Sequence, residues 1–142
     1  MRARGKPRRT GQLLWPRPGP LALGDRVTLR YRARRSWTRD DERRDVSAVL
    51  RCVETLPSGS ATTASSLTCP TRVVSTHPWF EVEIDLEIAL GGMPTMNAAG
   101  HRVDWTLTVL DDAEADGGQG VVVEVIVAPV VAAGVLDGGA VR

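Results

Sequence analysis

Cysteine and histidine are the residues of this chain with nucleophile or base chemistry near neutral pH, and there are two of each. A Cys/His nucleophile pair requires the two side chains to meet in space and a group that activates the thiol. His77 lies before a proline in a turn, and His101 begins a predicted strand, where a ring ordinarily caps backbone groups or faces solvent. No glycine-rich phosphate loop, G-x-S-x-G motif or Cys-x-x-Cys pair occurs. The sequence therefore predicts a protein that is not an enzyme and has no cofactor.

The two cysteines, Cys52 and Cys69, are too few for a disulfide scaffold or a four-ligand zinc site. If residues 46 to 54 and 67 to 76 form a simple hairpin centred near Gly59 and Ser60, the cysteines lie directly opposite each other and a bridge is geometrically feasible. A free cysteine is most often buried and packs as a small hydrophobe. We expect two buried thiols, with a disulfide as the alternative.

Residues 111 to 117 imitate the start of a calcium-binding loop. Asp112, Glu114 and Asp116 occupy alternate positions, and a glycine occupies the sixth. The pattern then fails, because its twelfth position is Val123 instead of a glutamate. An acidic, solvated hairpin loop is the favoured interpretation, with weak cation binding as the alternative, and no metal site is predicted.

The chain of 142 residues is long enough for one domain with its own core. No apolar run reaches the length of a transmembrane helix, and the arginine-rich start leads into the prolines of residues 16 to 20 instead of the apolar stretch of a secretory signal. We therefore expect a cytoplasmic protein. Its domain is predicted over residues 11 to 130, between a disordered basic tail (1 to 10) and a flexible C-terminal tail (131 to 142).

Charge is distributed unevenly along the chain. Residues 1 to 44 carry a net charge of +10 and residues 45 to 142 one of −9, which together give the net +1 of the whole. This asymmetry indicates either pairing of the two parts inside the fold or a basic arm offered to an acidic partner. For the second case we consider an anionic polymer, either nucleic acid or an anionic membrane surface. Its contacts would include Arg2, Arg4, Lys6, Arg8 and Arg9.

Two alternating runs between Trp79 and Leu110, joined by a Gly/Pro-rich connection, are the strongest structural signal. Apolar residues occupy every second position from Phe80 to Ile88, with acidic residues between them, and the same period of two continues from Arg102 to Val109. Period two is typical of strands with one buried and one solvated face, and a slip of one residue would bury the charges. Such strands need a second sheet to cover them.

Five further strands are predicted at residues 12 to 15, 26 to 34, 46 to 54, 67 to 76 and 121 to 127. The sequence between the third and fourth of the seven predicted strands is rich in Ser, Thr, Gly and Ala and is predicted to be a flexible connection. Pro70 cannot donate a ladder hydrogen bond, so it should lie at a sheet edge or a bulge. About seven short strands without a helical period indicate an all-β, antiparallel, immunoglobulin-like β-sandwich.

In an immunoglobulin-like topology the second predicted strand neighbours the fifth. The solvated face of the second strand is basic, and that of the fifth is acidic. We therefore expect an opposite-charge ladder between them, in which each cross-strand pair contributes a few tenths of a kcal/mol to about 1 kcal/mol. The residues concerned are Arg26, Arg30 and Arg32 on one strand and Glu81, Glu83 and Asp85 on the other.

Three consecutive segments resemble the arrestin-like β-sandwich, including regions of that kind in functionally unassigned bacterial proteins. They are the alternating strand Phe80 to Ile88, the proline-containing Met93-Pro94-Thr95, and the run from Gly100 to Leu107, which has the form basic, aliphatic, any, aromatic, any, Leu. The likeness extends over about Leu23 to Val127. It implies a non-enzymatic binding or scaffolding role for loops and edge strands, and it transfers no functional residue.

We predict a protein- or peptide-binding adaptor, acting through an exposed edge strand or through the sandwich end that carries residues 34 to 45 and 111 to 120. Trp105 is predicted to be in the core, whereas Trp79 lies on the charged face of its strand and is predicted to be partly exposed. Exposed tryptophan beside arginine is typical of interface hot spots. The candidate contact residues are Arg35, Trp37, Arg39, Arg43 and Arg44. The alternative is an anionic-polymer binder that combines the basic N-terminus with the basic strand face.

Overall fold

The strands with alternating sequence form the centre of the structure. The computed structural model of the chain describes residues 11 to 35, 43 to 113 and 119 to 129. In order, the strands are β1 (Gln12–Leu14), β2 (Leu21–Ala22), β3 (Arg26–Ala33), β4 (Val46–Thr55), β5 (Ala61–Cys69), β6 (Thr71–Ser75), β7 (Phe80–Glu87), β8 (Met96–Ala98), β9 (His101–Asp111), β10 (Gln119–Val125) and β11 (Val127–Ala128). Within these residues no helix is long and apolar enough to cross a membrane.

Two antiparallel sheets contain nine of these strands. The first sheet has the order β1, β3, β7, β6, and the second has the order β10, β9, β4, β5, with β8 also paired to β9. The short strands β2 and β11 pair in parallel beside them. The predicted all-β sandwich is thereby confirmed, as is the pairing of the second predicted strand with the fifth, here β3 with β7.

Apolar residues of one parity on each long strand form the core between the sheets. Tyr31, Phe80 and Leu107 are fully buried, as are the neighbours two residues away along their strands. Burial of each such side chain contributes about 1.5 to 3 kcal/mol before entropy is counted. Trp105 is buried as predicted, and its Nε1 donates to the carbonyl oxygen of Met93 at 2.8 Å. That bond attaches the β7–β8 connection to the core.

The edge formed by β5 and β6 differs from the sequence prediction. Residues 61 to 69 form a strand of the second sheet, although most of this stretch was predicted to be a flexible connection. The predicted strand 67 to 76 is divided at Pro70, after which β6 joins the first sheet. Pro70 therefore lies where the chain changes sheets, which suits a residue that lacks a backbone N–H.

The two cysteines are buried and free, which confirms the favoured prediction. The predicted register was wrong, because Cys69 pairs with Ala48 and Cys52 pairs with Ser65. The hairpin turns earlier than assumed, around residues 56 to 60, so the two thiols lie at different levels of the hairpin. Burial raises the pKa of both thiols, so each stays protonated at neutral pH.

Candidate interaction site

The solvent-facing side of β3 and β7 is a ladder of opposite charges, as predicted. In this antiparallel register Arg26 faces Glu87, Arg30 faces Glu83, and Arg32 faces Glu81. Each of the three arginines makes an ion pair, at 3.4 Å for Arg26, 3.0 Å for Arg30 with its facing glutamate, and 2.7 Å for Arg32. We call this set of paired residues the charge ladder.

β6 extends the ladder by one strand. Arg72 binds Glu83 at 2.6 Å and Asp85 at 3.0 Å. Hydrogen bonds from Arg30 and then Arg72 lower the pKa of Glu83, and those from Arg72 and then Thr28 lower the pKa of Asp85. Both carboxylates therefore stay ionised to a lower pH than a carboxyl group without these partners. The arginines of this face are matched by acids of the same chain.

This pairing bears directly on the anionic-polymer alternative. A polymer would have to displace the glutamates bonded to Arg26, Arg30 and Arg32 before it could use the strand face. The remaining cations of that hypothesis, in residues 1 to 10, lie outside the described residues. The strand face therefore gives the polymer hypothesis no support.

The series of opposite-charge pairs ends beside the paired residues Ala33 and Phe80. These two residues are paired, and continuing the register by one residue on each strand brings Arg34 opposite Trp79. By this register Arg34 lies opposite a tryptophan, where the preceding arginines lie opposite carboxylates. Its exposed guanidinium makes no ion pair with the described residues.

A hollow of about 480 Å³ lies at this position, lined by Arg34, Arg35, Pro78 and Trp79. These four residues are called the Arg34–Trp79 site. Trp79 is 42% exposed, as predicted for a residue on the charged face of its strand, and the Arg32 guanidinium lies 5.9 Å from the centre of its ring. The site therefore combines an open aromatic surface with positive charge.

Arg35 is positioned by the turn that precedes β7. Its Nη1 donates to Nδ1 of His77 at 3.1 Å. Because a guanidinium only donates hydrogen bonds, this contact makes Nδ1 the acceptor and leaves the proton of a neutral ring on Nε2. His77 thus supports a side chain of the site.

A buried ion pair lies behind the site and holds this end of the sandwich together. Arg44 donates from Nε and Nη2 to the two oxygens of Asp111, at 2.8 and 2.6 Å, and both side chains are almost completely buried. The Tyr31 hydroxyl donates to the same carboxylate at 2.6 Å. Arg44 also donates from Nη1 to the carbonyl oxygen of Arg34 at 2.8 Å, and its guanidinium lies 4.1 Å from the centre of the Phe80 ring. These contacts fix the backbone that presents Arg34.

The placement of Arg44 corrects one part of the sequence prediction. Arg44 was expected to contact a partner, but it is only 5% exposed and its hydrogen bonds are directed into the fold. Arg35 and Arg43 are exposed and remain candidates, whereas Trp37 and Arg39 lie outside the described residues. Arg34 was missed, although one signal pointed to it: the alternating arginines of β3 continue to Arg34, whereas the acidic residues of β7 begin only at Glu81.

The other candidate chemistry stays dispersed. His101 is paired through Nε2 with Glu54 at 2.6 Å, far along the chain from His77 and its partner Arg35. Asp112 accepts from the backbone N–H of Asp45 at 3.0 Å, and the rest of the acidic loop, residues 114 to 118, lies outside the described residues. The described part of the chain contains no group of three or more His, Cys, Asp or Glu arranged to hold a metal.

No protein-family model matches the chain, and no curated protein matches it. The resemblance to arrestin-like sandwiches stays a prediction. Function must therefore be argued from the Arg34–Trp79 site and its surroundings.

Proposed function

We propose that this protein is a non-enzymatic binding module that holds an acidic segment of a partner protein at the Arg34–Trp79 site. The observation that carries the proposal is the hollow beside the end of the charge ladder, which Arg34 and Trp79 line together. There the register, continued one residue past Ala33 and Phe80, sets Arg34 opposite Trp79 instead of a carboxylate. An acidic side chain of a partner would complete the pattern that Glu81 and Glu83 complete within the chain.

The tryptophan supplies the other half of the recognition. A ring that is 42% exposed and rests beside Pro78 offers a rigid apolar surface to an aliphatic or aromatic neighbour of the acidic residue. Tryptophan and arginine are the side chains most enriched at interface hot spots. The fitting partner is thus a segment with acidic and apolar residues close together.

Arg34 and Trp79 are expected to contribute unequally to the free energy of binding. An exposed arginine–carboxylate pair contributes about 0.2 to 1 kcal/mol, because water and salt screen it. A tryptophan hot spot contributes about 2 kcal/mol or more. We expect Trp79 to provide most of the affinity and Arg34 to provide selection for acidic partners.

The experiment measures fluorescence anisotropy of two labelled peptides, one alternating Glu with Leu and the other alternating Gln with Leu. The protein should bind the glutamate peptide in preference, and added salt should reduce that preference. We expect Trp79→Ala to weaken binding about tenfold or more and Arg34→Gln to weaken it by a factor of about two to five, from the hot-spot and ion-pair energies above.

Arg26→Gln is the matched control, because Arg26 lies on the same face of the same strand at the other end of the ladder, paired with Glu87. It should bind the glutamate peptide like the unmodified protein. Equal binding of the two peptides would refute the proposal, and so would unchanged binding by both the Trp79 and the Arg34 variants.

A further inference from the structure

The edge strand β5 lacks most of the features that usually keep strand edges from pairing with another chain, and its one bulge, at Ala64, leaves a regular stretch beyond it. It is 9 residues long, contains no charged residue and no proline, and pairs only with β4 among the described residues. Native edge strands are commonly short, charged, interrupted by proline or irregular. The other edges follow that rule: β1 has 3 residues, β6 carries Arg72 and a register shift, and β10 carries Glu124 and a register shift.

Two irregularities define the straight part of β5. The register with β4 shifts by one residue at Ala64, which is a bulge, and Pro70 ends the strand at the other side. The segment between them, Ser65 to Cys69, reads Ser-Ser-Leu-Thr-Cys and has Leu67 at its centre. Half of its backbone N–H and C=O groups point away from β4, as in any strand, and are open to a further strand.

Leu67 is an exposed apolar residue on the core side of its sheet. It pairs with the buried Leu50, so its side chain is on the core side of the sheet, yet it is 50% exposed. The first sheet explains this, because β6 begins only after Pro70 and pairs with β7 over Glu81 to Ile84. The described part of the first sheet thus provides no strand over Leu67.

We propose that β5 pairs in antiparallel fashion with β5 of a second copy of this chain, about a two-fold axis at Leu67. This arrangement brings the two copies of Leu67 together and places Ser66 of each copy opposite Thr68 of the other. Identical residues face one another at such an axis, so a charged strand would repel itself, whereas this uncharged strand does not. The interface is the same patch on both copies and closes as a dimer.

The lack of charge on β5 suits a second copy as the occupant, because two uncharged strands meet without repulsion. A charged foreign segment would find no counter-charge on β5 itself, and the charge ladder lies on the other sheet. The pairing would join the second sheets of two copies into one continuous sheet. It leaves the Arg34–Trp79 site uncovered. Failure of the dimer proposal would therefore not affect the proposed function, and failure of the proposed function would not affect the dimer.

The test is sedimentation equilibrium of the full chain over a wide range of concentration, combined with hydrogen exchange of β5. We expect a monomer–dimer equilibrium with concentration-dependent protection of residues 65 to 69. Leu67→Lys places two ammonium groups at the axis and should give a monomer with an unchanged circular dichroism spectrum. Leu90→Lys is the control, since Leu90 is 65% exposed in the β7–β8 connection, and it should leave the dimer intact.

A second variant keeps the proposal testable if the lysine harms folding. Leu67→Cys should form a disulfide between copies under mild oxidation, whereas Leu90→Cys should not, and the native thiols are buried and should not contribute. The proposal is overturned by a monomer at every concentration, including one whose β5 binds an added peptide. A dimer that Leu67→Lys leaves unchanged would also overturn it.

Discussion

Replacing Arg44 by methionine removes one half of a buried ion pair, and we expect it to lower the free energy of unfolding by about 3 to 5 kcal/mol. Asp111 would keep the hydrogen bonds from the Tyr31 hydroxyl and from the backbone N–H of Ala113, at 2.6 and 3.1 Å, but would lose both bonds from Arg44. Its negative charge would then be buried without a counter-charge. Since the free energy of unfolding of small domains is about 5 to 15 kcal/mol in total, the variant should be strongly destabilised.

The size of the effect follows from the burial of the pair. The side chains of Arg44 and Asp111 are 1% and 0% exposed, so water screens their attraction little and cannot solvate a charge left behind. The Arg26–Glu87 pair offers the contrast, since its side chains are 79% and 63% exposed. Arg26→Met should therefore change the free energy of unfolding by less than about 1 kcal/mol.

Urea unfolding followed by tryptophan fluorescence measures both values. The coupling is isolated by comparing Arg44→Met, Asp111→Leu and the double variant, all in a Tyr31→Phe background so that the tyrosine hydroxyl is not left without its acceptor. We expect the double variant to lose less free energy of unfolding than the two single variants lose together, by about 2 to 3 kcal/mol. Additivity within about 0.5 kcal/mol, or a cost below about 1 kcal/mol for Arg44→Met, would refute the reasoning.

The same pair predicts a direction for the pH dependence. Burial alone would raise the pKa of Asp111, but the hydrogen bonds from Arg44 and Tyr31 outweigh it and hold the pKa below its ordinary value. A lowered pKa in the folded state means that the pair contributes its stability above the ordinary carboxyl pKa and loses it as the pH falls through the lowered one. The difference between the Arg44→Met variant and the unmodified chain should therefore shrink in acid.

Two further predictions concern the thiols and the charge ladder. Cys52 and Cys69 should react with a thiol reagent such as Ellman's reagent only after the protein is unfolded, because both are buried with raised pKa values; rapid reaction of the native protein would contradict this. Glu83→Gln should lower the melting temperature at neutral pH, because Arg30 and Arg72 both bind that carboxylate. The lowering should shrink in acid, where the unmodified carboxyl is also neutral, and at high salt; a lowering independent of pH and salt would count against the ladder as its cause.

The long central strands could be predicted because their physical cause is local. β3, β7 and β9 alternate apolar and polar residues, and a period of two allows only one face to be buried. The same alternation fixed which charges face solvent, so the pairing of the basic strand with the acidic one followed once the topology was assumed. Trp105 in the core and Trp79 at the surface follow from their parity in these runs.

β5 could not be predicted in this way, because its side chains are small, hydroxylated and exposed on most positions. Such a sequence has no preferred face, and it becomes a strand here by pairing with β4 from Ala48 to Thr55. Its register was also out of reach, since the position of the turn and the bulge at Ala64 decide which residue faces Cys52. The expected cysteine pairing failed for that reason.

Local sequence thus determined the all-β class, the buried faces of the long strands and the sign of charge on each solvated face, since each depends on neighbours along the chain. Only the tertiary structure decided which charges find partners. In the sequence Arg44 is one of several cations in a charged loop. In the structure it is buried and bonded to Asp111, which is 67 positions away in the chain. Arg34 continues the alternation of the arginines in β3, yet the register continued past the end of β3 places it opposite Trp79. The reason is the same in both cases: a charge is satisfied by groups near it in space, and the packing of the two sheets brings those groups together.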